Sequence, residues 1–364
     1  MICSVVGARP NFMKMAPVVI EMRRRGMPNM LVHTGQHYDA AMSAVFFDEL
    51  GMPQPDVFLG VGSGSHADQT ARIMVAFEQV CLDRPPELVI VAGDVNSTLA
   101  CALTAAKLGI PVAHVEAGLR SFDRSMPEEI NRVLTDHIAD ILLTSEPSGA
   151  VNLRQEGIAG EKIHFVGNCM IDSLRSHLAR AQERKPWVHL GLEPGCYGLV
   201  TVHRPSMVDD PAKLEQLRGA LCEVARSLPL VFPVHPRTRK RMEALDRRWD
   251  PVKLVDPLGY LEFLGLMADA RLVLTDSGGI QEETTALGIP CATLRDNTER
   301  PVTVELGTNR IAGTTREGIV SAALALLASG GPPPGIPELW DGRAAQRVID
   351  VIARWQDLSN RSEQ

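Results

Sequence analysis

The residues of this chain whose types and spacing could do chemistry include carboxylates that end apolar runs, histidine–arginine pairs and one Gly-Gly turn. The turn is Asp276-Ser277-Gly278-Gly279-Ile280-Gln281-Glu282-Glu283. It follows Leu272-Val273-Leu274-Thr275, which reads as a buried strand, and precedes Thr284-Thr285-Ala286-Leu287, which reads as helix. Such a junction presents free backbone N–H groups and the positive end of a helix dipole, a seat for a diphosphate. Glu283 lies four residues past Gly279 on the same helix face. A carboxylate there can accept from two neighbouring ribose hydroxyls, and phosphate plus sugar diol means a nucleotide. Gly-Gly alone also serves to pack a helix tightly. Ser277 and the Glu282-Glu283 pair are what favour a ligand.

Gly93-Asp94 ends the apolar run Leu88–Ala92, where Asp94 could cap the following helix or work on a substrate. Glu116, in His114-Val115-Glu116-Ala117-Gly118-Leu119-Arg120, ends a run that should be buried. A buried carboxylate costs free energy unless paired, so a structural Glu116 needs a partner such as Arg120. Glu128-Glu129 follow Pro127 at a helix start, which the dipole favours in any case. His203-Arg204 and His235-Pro236-Arg237 stand at the ends of two consecutive apolar runs, an arrangement that can bind phosphate or donate a proton. Gly7-Ala8-Arg9-Pro10 ends the first run, with Lys14 beyond it. Arg9 offers a forked donor set for phosphate. Positioned acids with separated pKa values suit proton transfer, and cationic donors suit a departing phosphate.

The elements that must position these residues alternate along the chain. Strands are expected at Ile2–Val6, Met30–His33, Leu88–Ala92, Val112–Val115, Ile141–Thr144 and Ile163–Val166, with helices at Met13–Arg25 and Asn96–Leu108. A second series runs through Leu199–Val202, Leu230–Pro233, Lys253–Val255, Leu272–Thr275 and Cys291–Leu294. Short apolar runs without alternation fit strands buried on both faces of a parallel sheet, and helices between them imply βαβ units. A charged helix, Asp172–Lys185, leads to Pro186 and Gly191-Leu192-Glu193-Pro194-Gly195, the best domain boundary. The expected organisation is therefore two doubly wound α/β domains, 1–170 and 186–342. A last helix is expected at about 343–360, and ligand binds beyond the strands' carboxyl ends.

A chain of 364 residues is long enough for two such cores. It is 45% hydrophobic and 22% charged, with 37 basic against 44 acidic residues and a net charge of −7. This balance argues against bulk nucleic-acid binding, so an anionic ligand must be held by local donors. Seven cysteines lie scattered without a CxxC pair, which reads as reduced core thiols in a cytoplasmic protein with no metal site. The chain opens directly on a strand, so no signal peptide is expected. No apolar run approaches the roughly 18 residues of a membrane helix.

Taken in order, several segments resemble the non-hydrolysing UDP-N-acetylglucosamine 2-epimerases. They are Gly7-Ala8-Arg9-Pro10, Lys14-Met15-Ala16-Pro17, Thr34-Gly35-Gln36-His37, Gly93-Asp94, His114 to Arg120, Pro127-Glu128-Glu129 with Asn131-Arg132, His203-Arg204, Asp276 to Glu283, and Thr298-Glu299-Arg300-Pro301. The resemblance runs from residue 1 to about 350. It implies a glycosyltransferase-B-type fold of two Rossmann-like domains facing a cleft, with the last helix packing back on the first domain, a homodimer, a UDP-sugar substrate, and neither cofactor, metal nor nicotinamide. The implied reaction interconverts UDP-N-acetylglucosamine and UDP-N-acetylmannosamine through expulsion and return of UDP, in the service of cell-surface polysaccharide synthesis. By carry-over the catalytic residues are Asp94, Glu116, Glu128 and His203. The UDP grip is Arg9, Ser277, Gly278, Gly279 and Glu283, with Lys14, His235 and Arg237 as further candidates.

The chain departs from the family pattern at Asn11, at Pro205-Ser206-Met207 and at Val302, each where an acid is usual. In many bacterial members the loop after His-Arg and the Gln-His segment (here Gln36-His37) hold a second, activating UDP-sugar. Without the acid, its hydroxyls lose an acceptor. Other readings are a hydrolysing 2-epimerase, a UDP-sugar glycosyltransferase, and a UDP-sugar-binding protein without catalysis. Related epimerases also act on uronic and diacetamido UDP-sugars.

Overall fold

The computed structural model describes residues 1–36, 47, 49–331 and 335–362. The chain divides into two compact units, Met1–Ser173 with Glu338–Gln364, and Leu174–Pro337. The division falls within the helix Cys169–Glu183.

The first unit holds seven parallel strands: β1 (Ile2–Val6), β2 (Asn29–His33), β3 (Val57–Phe58), β4 (Leu88–Ala92), β5 (Val112–Ala117), β6 (Ile141–Thr144) and β7 (Ile163–Phe165). Their order is β3-β2-β1-β4-β5-β6-β7, so the winding reverses between β1 and β4. The second unit repeats the plan with six: β8 (Gly198–Thr201), β9 (Leu230–Pro233), β10 (Lys253–Val255), β11 (Leu272–Thr275), β12 (Cys291–Thr293) and β13 (Asn309–Ile311). Their order is β10-β9-β8-β11-β12-β13, with the reversal between β8 and β11. At such a switch point neighbouring crossovers leave in opposite directions, opening a crevice beyond the strand ends.

The central strands β1, β4, β5, β6 and β11 are buried at every residue, as the unalternating apolar runs required. Helices bury one stripe each. The helix His66–Asp83 places Gln69, Ile73, Phe77 and Cys81 inward at four-residue intervals, and the Ser65 hydroxyl caps its start by accepting the Asp68 N–H. Ile73, Phe77, Val5, Val32, Val91 and Leu142 form one continuous core. Leu217, Leu221, Val200, Phe232 and Leu274 do the same in the second unit. Each such side chain contributes roughly 1.5–3 kcal/mol by leaving water.

Several boundaries differ from expectation. The first helix begins at Arg9 rather than Met13, because Pro10 in its first turn has the backbone angle a helix start needs. Gly7 makes this entry possible: a Cβ there would lie 2.2 Å from Ser97 Oγ and 2.6 Å from Thr34 Oγ1. The strand through Val112 extends to Ala117, with a register shift between Val115 and Ala117. The terminal helix, Ala344–Ser362, starts on a carboxylate cap, since Asp172 accepts the N–H groups of Ala344 and Ala345 at 3.0 and 2.7 Å. Arg25 holds the same helix through Asp350 at 2.6 Å. Burial pushes the Asp172 carboxyl up to about 6, and the two N–H donors act against that rise. Replacing Asp172 by Ala should cost about 0.5–2 kcal/mol, the usual worth of such a cap. Hydrogen exchange would show it as faster exchange over 344–352, with β4 and β5 unchanged; unchanged exchange at 344–352 would rule the cap out.

Candidate active site

In the first unit the chemistry gathers at the switch point. β4 ends in Gly93, whose φ of 67° lies in the left-handed region that favours glycine. A Cβ on Gly93 would meet Lys14 Nζ at 2.8 Å and Glu116 Oε2 at 3.5 Å. Glu116 and Lys14 are both buried and form an ion pair. The partner expected for Glu116 was Arg120. The structure gives Arg120 to Asp136 at 2.7 Å and to Glu156 at 2.6 Å instead. The positive φ of Glu116, 72°, belongs to the same irregularity: a bulged residue escapes the strand's alternation and re-aims its side chain.

Asp94 keeps a quarter of its side chain exposed and pairs with the buried Arg132. Asp94 does not cap the helix Asn96–Lys107; the N-cap is Val95. Arg132 also pairs with Glu129, three residues earlier on the helix Pro127–Ile138. Glu129 is saturated: it accepts the N–H groups of Ser121 and Phe122 at 3.0 and 2.8 Å and the Ser121 hydroxyl at 3.0 Å. Glu128 is half-buried and, among the described residues, accepts no hydrogen bond. Two adjacent acids thus divide: the Glu129 carboxylate builds the loop before the helix, and the Glu128 carboxylate does not. Asn11, where an acid is usual, donates to Ala92 O at 2.6 Å and accepts the Ala8 N–H at 3.1 Å. A carboxylate could make only the second bond.

The second unit is built similarly. β8 ends before His203-Arg204 and β11 before Asp276-Ser277, the two strands flanking the switch point. Fully buried Asp276 accepts the N–H groups of His203 and Arg204 at 2.9 and 2.7 Å. Its other oxygen lies 3.3 Å from His203 Nδ1, and the His203 side chain is half exposed. Ser277 is the N-cap of the helix Gly278–Leu287 without bonding it through its side chain, so Gly278 and Gly279 open the helix. A Cβ on Gly278 would meet Glu299 Oε1 at 2.6 Å. Glu299 in turn is held by Arg295 at 2.7 Å and Arg204 at 3.3 Å. Two guanidinium groups therefore stand on a carboxylate beside the Gly-Gly turn. His235 caps the helix Pro236–Ala244 by accepting the Arg237 N–H at 3.3 Å, and the Arg237 side chain pairs with Asp209. Arg9 is the first residue of its helix, and His37 lies outside the described residues.

Here too adjacent acids divide. Buried Glu282 pairs with Arg300 at 2.7 Å. Glu283 has the Tyr260 hydroxyl at 3.3 Å and, among the described residues, no cation. Burial pushes its carboxyl up to about 8, partly offset by that hydrogen bond, so it is neutral at pH 7. Sequence reasoning missed Arg132, Glu129 and Arg295 as parts of the site. For the first two, the three-residue spacing of Glu129 and Arg132 on one helix face was the available signal.

Each unit is a doubly wound α/β domain with its polar side chains at the switch point, and the chain has the glycosyltransferase-B class of fold. The profile of the UDP-N-acetylglucosamine 2-epimerase family matches residues 21–353, and the chain belongs to that family. It is 40% identical to a UDP-N-acetylglucosamine 2-epimerase of Methanococcus maripaludis over 96% of this chain and 97% of that one. It is 42% identical to a UDP-2,3-diacetamido-2,3-dideoxy-D-glucuronate 2-epimerase of Pseudomonas aeruginosa over 97% and 99%. Among solved structures, the Methanocaldococcus jannaschii UDP-GlcNAc 2-epimerase in complex with UDP-GlcNAc and UDP superposes with a TM-score of 0.90. That chain is 40% identical, with 97% of this chain and 100% of that one covered.

The raised pKa of Glu283 has a stability consequence. The folded state binds this proton more tightly than the unfolded chain, so the group's contribution is complete below 4.5 and is lost as pH rises to about 8. Glu283→Gln carries no such loss. Its urea midpoint should gain on wild type between pH 6 and pH 8 and hold that gain above. The same difference at pH 6 and pH 9 would refute a buried neutral carboxyl.

Proposed function

We propose that this protein interconverts UDP-N-acetylglucosamine and UDP-N-acetylmannosamine without hydrolysing either. The observation that carries the proposal is the pair of acids at the first unit's switch point, Glu116 against Lys14 and Asp94 against Arg132. Carbon 2 of the sugar has no carbonyl to acidify its proton. Departure of UDP supplies the activation by leaving carbon 1 cationic. As the C1–O bond breaks, the leaving electrons go to the diphosphate. A carboxylate then takes the C2 proton, and the C–H electrons become the C1–C2 double bond of a glycal. UDP returns to carbon 1 while a proton is delivered to the opposite face of carbon 2. Asp94, Glu116 and Glu128 share removal, return and charge stabilisation. His203, with Nδ1 toward Asp276, uses Nε2 to assist the departing diphosphate.

UDP must stay bound while the sugar is detached. Ser277, Gly278 and Gly279 offer N–H groups and a helix dipole to its phosphates, with Arg9, Lys14, His235 and Arg237 as supporting cations. Glu283 takes the ribose hydroxyls. Since its carboxyl is neutral at pH 7, binding through the carboxylate should expel a proton. Titration calorimetry at pH 7 in buffers of different ionisation enthalpy should show that release, and Glu283→Gln should abolish it. Equal proton release by both proteins would remove Glu283 from the ribose site.

The deciding experiment incubates the protein with UDP-N-acetylglucosamine in deuterated water. Deuterium at carbon 2 in both UDP-sugars, with no free sugar, is expected. Free N-acetylmannosamine would mean hydrolysis, and unlabelled sugar would end the epimerase reading. Asp94→Asn and Glu116→Gln should each cut exchange by about 10²–10⁴-fold, the usual worth of a positioned acid or base; wild-type exchange would clear that residue of the role. The 42% identity to the diacetamidoglucuronate enzyme makes that UDP-sugar the second substrate to test. Assembly as a homodimer belongs to the same proposal, and light scattering should give twice 39.6 kDa; the single-chain mass would reject it.

A further inference from the structure

Behind the first unit's acids lies a buried charged cluster that touches neither of their carboxylates. His114 and Asp136 are fully buried. His114 Nδ1 lies 2.7 Å from Asp136 Oδ1, and its Nε2 lies 2.8 Å from the carbonyl oxygen of Gly93. Asp136 Oδ2 accepts the Gly118 N–H at 3.0 Å and Arg120 Nη1 at 2.7 Å. Arg120 is held from its far side by Glu156 at 2.7 and 2.6 Å. Both nitrogens of His114 thus face oxygen atoms of the scaffold. Burial alone would raise the Asp136 carboxyl, but His114 and Arg120 outweigh it and hold the group below its ordinary value.

The geometry gives this cluster two tasks. Glu116 stands midway between His114 and Gly118, in a left-handed conformation that costs a non-glycine residue on the order of 1–2 kcal/mol. The two bonds to Asp136 bracket that residue, one from each side. Through His114 the same carboxylate reaches the Gly93 carbonyl, next to Asp94. The flanking carbonyls of the turn are also held, Ala92 by Asn11 and Thr98 and Asp94 by Asn131.

We propose that Asp136 is the positioning residue for both acids, fixing the bulged backbone of Glu116 directly and the Asp94 turn through His114. It rests on the epimerase reading for the meaning of those acids. With Asp94 and Glu116 set on one scaffold, their separation is fixed before substrate arrives, which elimination and reprotonation at a single carbon require.

The test is Asp136→Asn in the full chain. Three donors converge on two carboxylate oxygens; an amide offers one oxygen, and its NH2 group must turn toward a donor. The carbon-2 exchange rate at saturating substrate should fall roughly 10–100-fold, as for small misplacements of catalytic groups, with KM and UDP affinity little changed. Hydrogen exchange should quicken in both 92–98 and 114–121. Thr135→Ala, on the same helix turn with a buried hydroxyl that has no partner among the described residues, should change neither. His114→Gln should quicken 92–98 more than 114–121, where the Gly118 and Arg120 bonds to Asp136 remain, and serves as second variant should Asp136→Asn fail to fold. A wild-type rate in folded Asp136→Asn, or quickening of only one segment in it, overturns the proposal, as does equal quickening of both segments in His114→Gln. If the wild-type protein exchanges no UDP-2-acetamido sugar, the epimerase reading fails, and hydrogen exchange still decides whether Asp136 holds both segments.

Discussion

The structure depends on how each carboxylate at the end of a parallel strand is compensated. A parallel sheet buries its strands on both faces, so an acid at a strand's end is withdrawn from water unless the loop carries it out. An unpaired buried charge shifts its pKa until it is neutral. Acids at strand ends and in the helices that follow the strands answer burial in different ways. Glu116 takes Lys14, Asp94 takes Arg132, and Asp136 takes a histidine, an arginine and a backbone N–H. Glu283 takes no cation among the described residues and keeps its proton. The opposite shifts of Asp136, held down by His114 and Arg120, and of Glu283, pushed up by burial, therefore follow from their nearest neighbours more than from the chain's net acidity.

The constraint also explains a pattern repeated in the two units. Acids occur as neighbours, and the pair is divided. Glu129 closes the loop at Ser121-Phe122 and grips Arg132, while Glu128 is left without internal bonds among the described residues. Glu282 holds Arg300, while Glu283 has only a tyrosine hydroxyl. Successive residues on a helix point about 100° apart, so one can face the scaffold while its neighbour faces elsewhere. One member of each pair is thus tied to the scaffold by a guanidinium group, and its neighbour is not.

Much of this was legible in the sequence. Ile2–Val6, Leu88–Ala92, Ile141–Thr144, Leu230–Pro233 and Leu272–Thr275 occupy the residues that their apolar runs marked. The two-residue strand Val57–Phe58 and the edge strand Asn309–Ile311 gave no signal, being too short and too polar for a run. The helix starting at Arg9 was read late because its first turn contains Pro and Asn, which also fit a loop. The choice of Lys14 over Arg120 as partner for Glu116 was not legible either. Arg120 is closer in sequence, but the bulge at Glu116 turns its side chain toward β4 and the first helix. The Asp136 cluster joins residues 16 to 22 apart whose types each have an ordinary alternative role.

The departures from the family pattern read differently once their surroundings are known. Asn11 supplies a donor that a carboxylate lacks, and spends it on the Ala92 carbonyl at the start of the Asp94 turn. Pro205-Ser206-Met207 forms the opening of a short helix, Pro205–Val208, that buries Met207 and Val208. Val302 is likewise buried, in the helix Pro301–Glu305 that follows Glu299 and Arg300. Buried Val302 thus stands where the family pattern has an acid, exposed Pro205 takes the place of the acid after His-Arg, and Asn11 makes a scaffold hydrogen bond at the third position. An acid restored at Val302 would have to be buried. Val302 and Asn11 belong to the packing around the candidate site, while Asp94, Glu116, Glu128, His203 and the Gly278-Gly279 turn keep the residues of the family pattern.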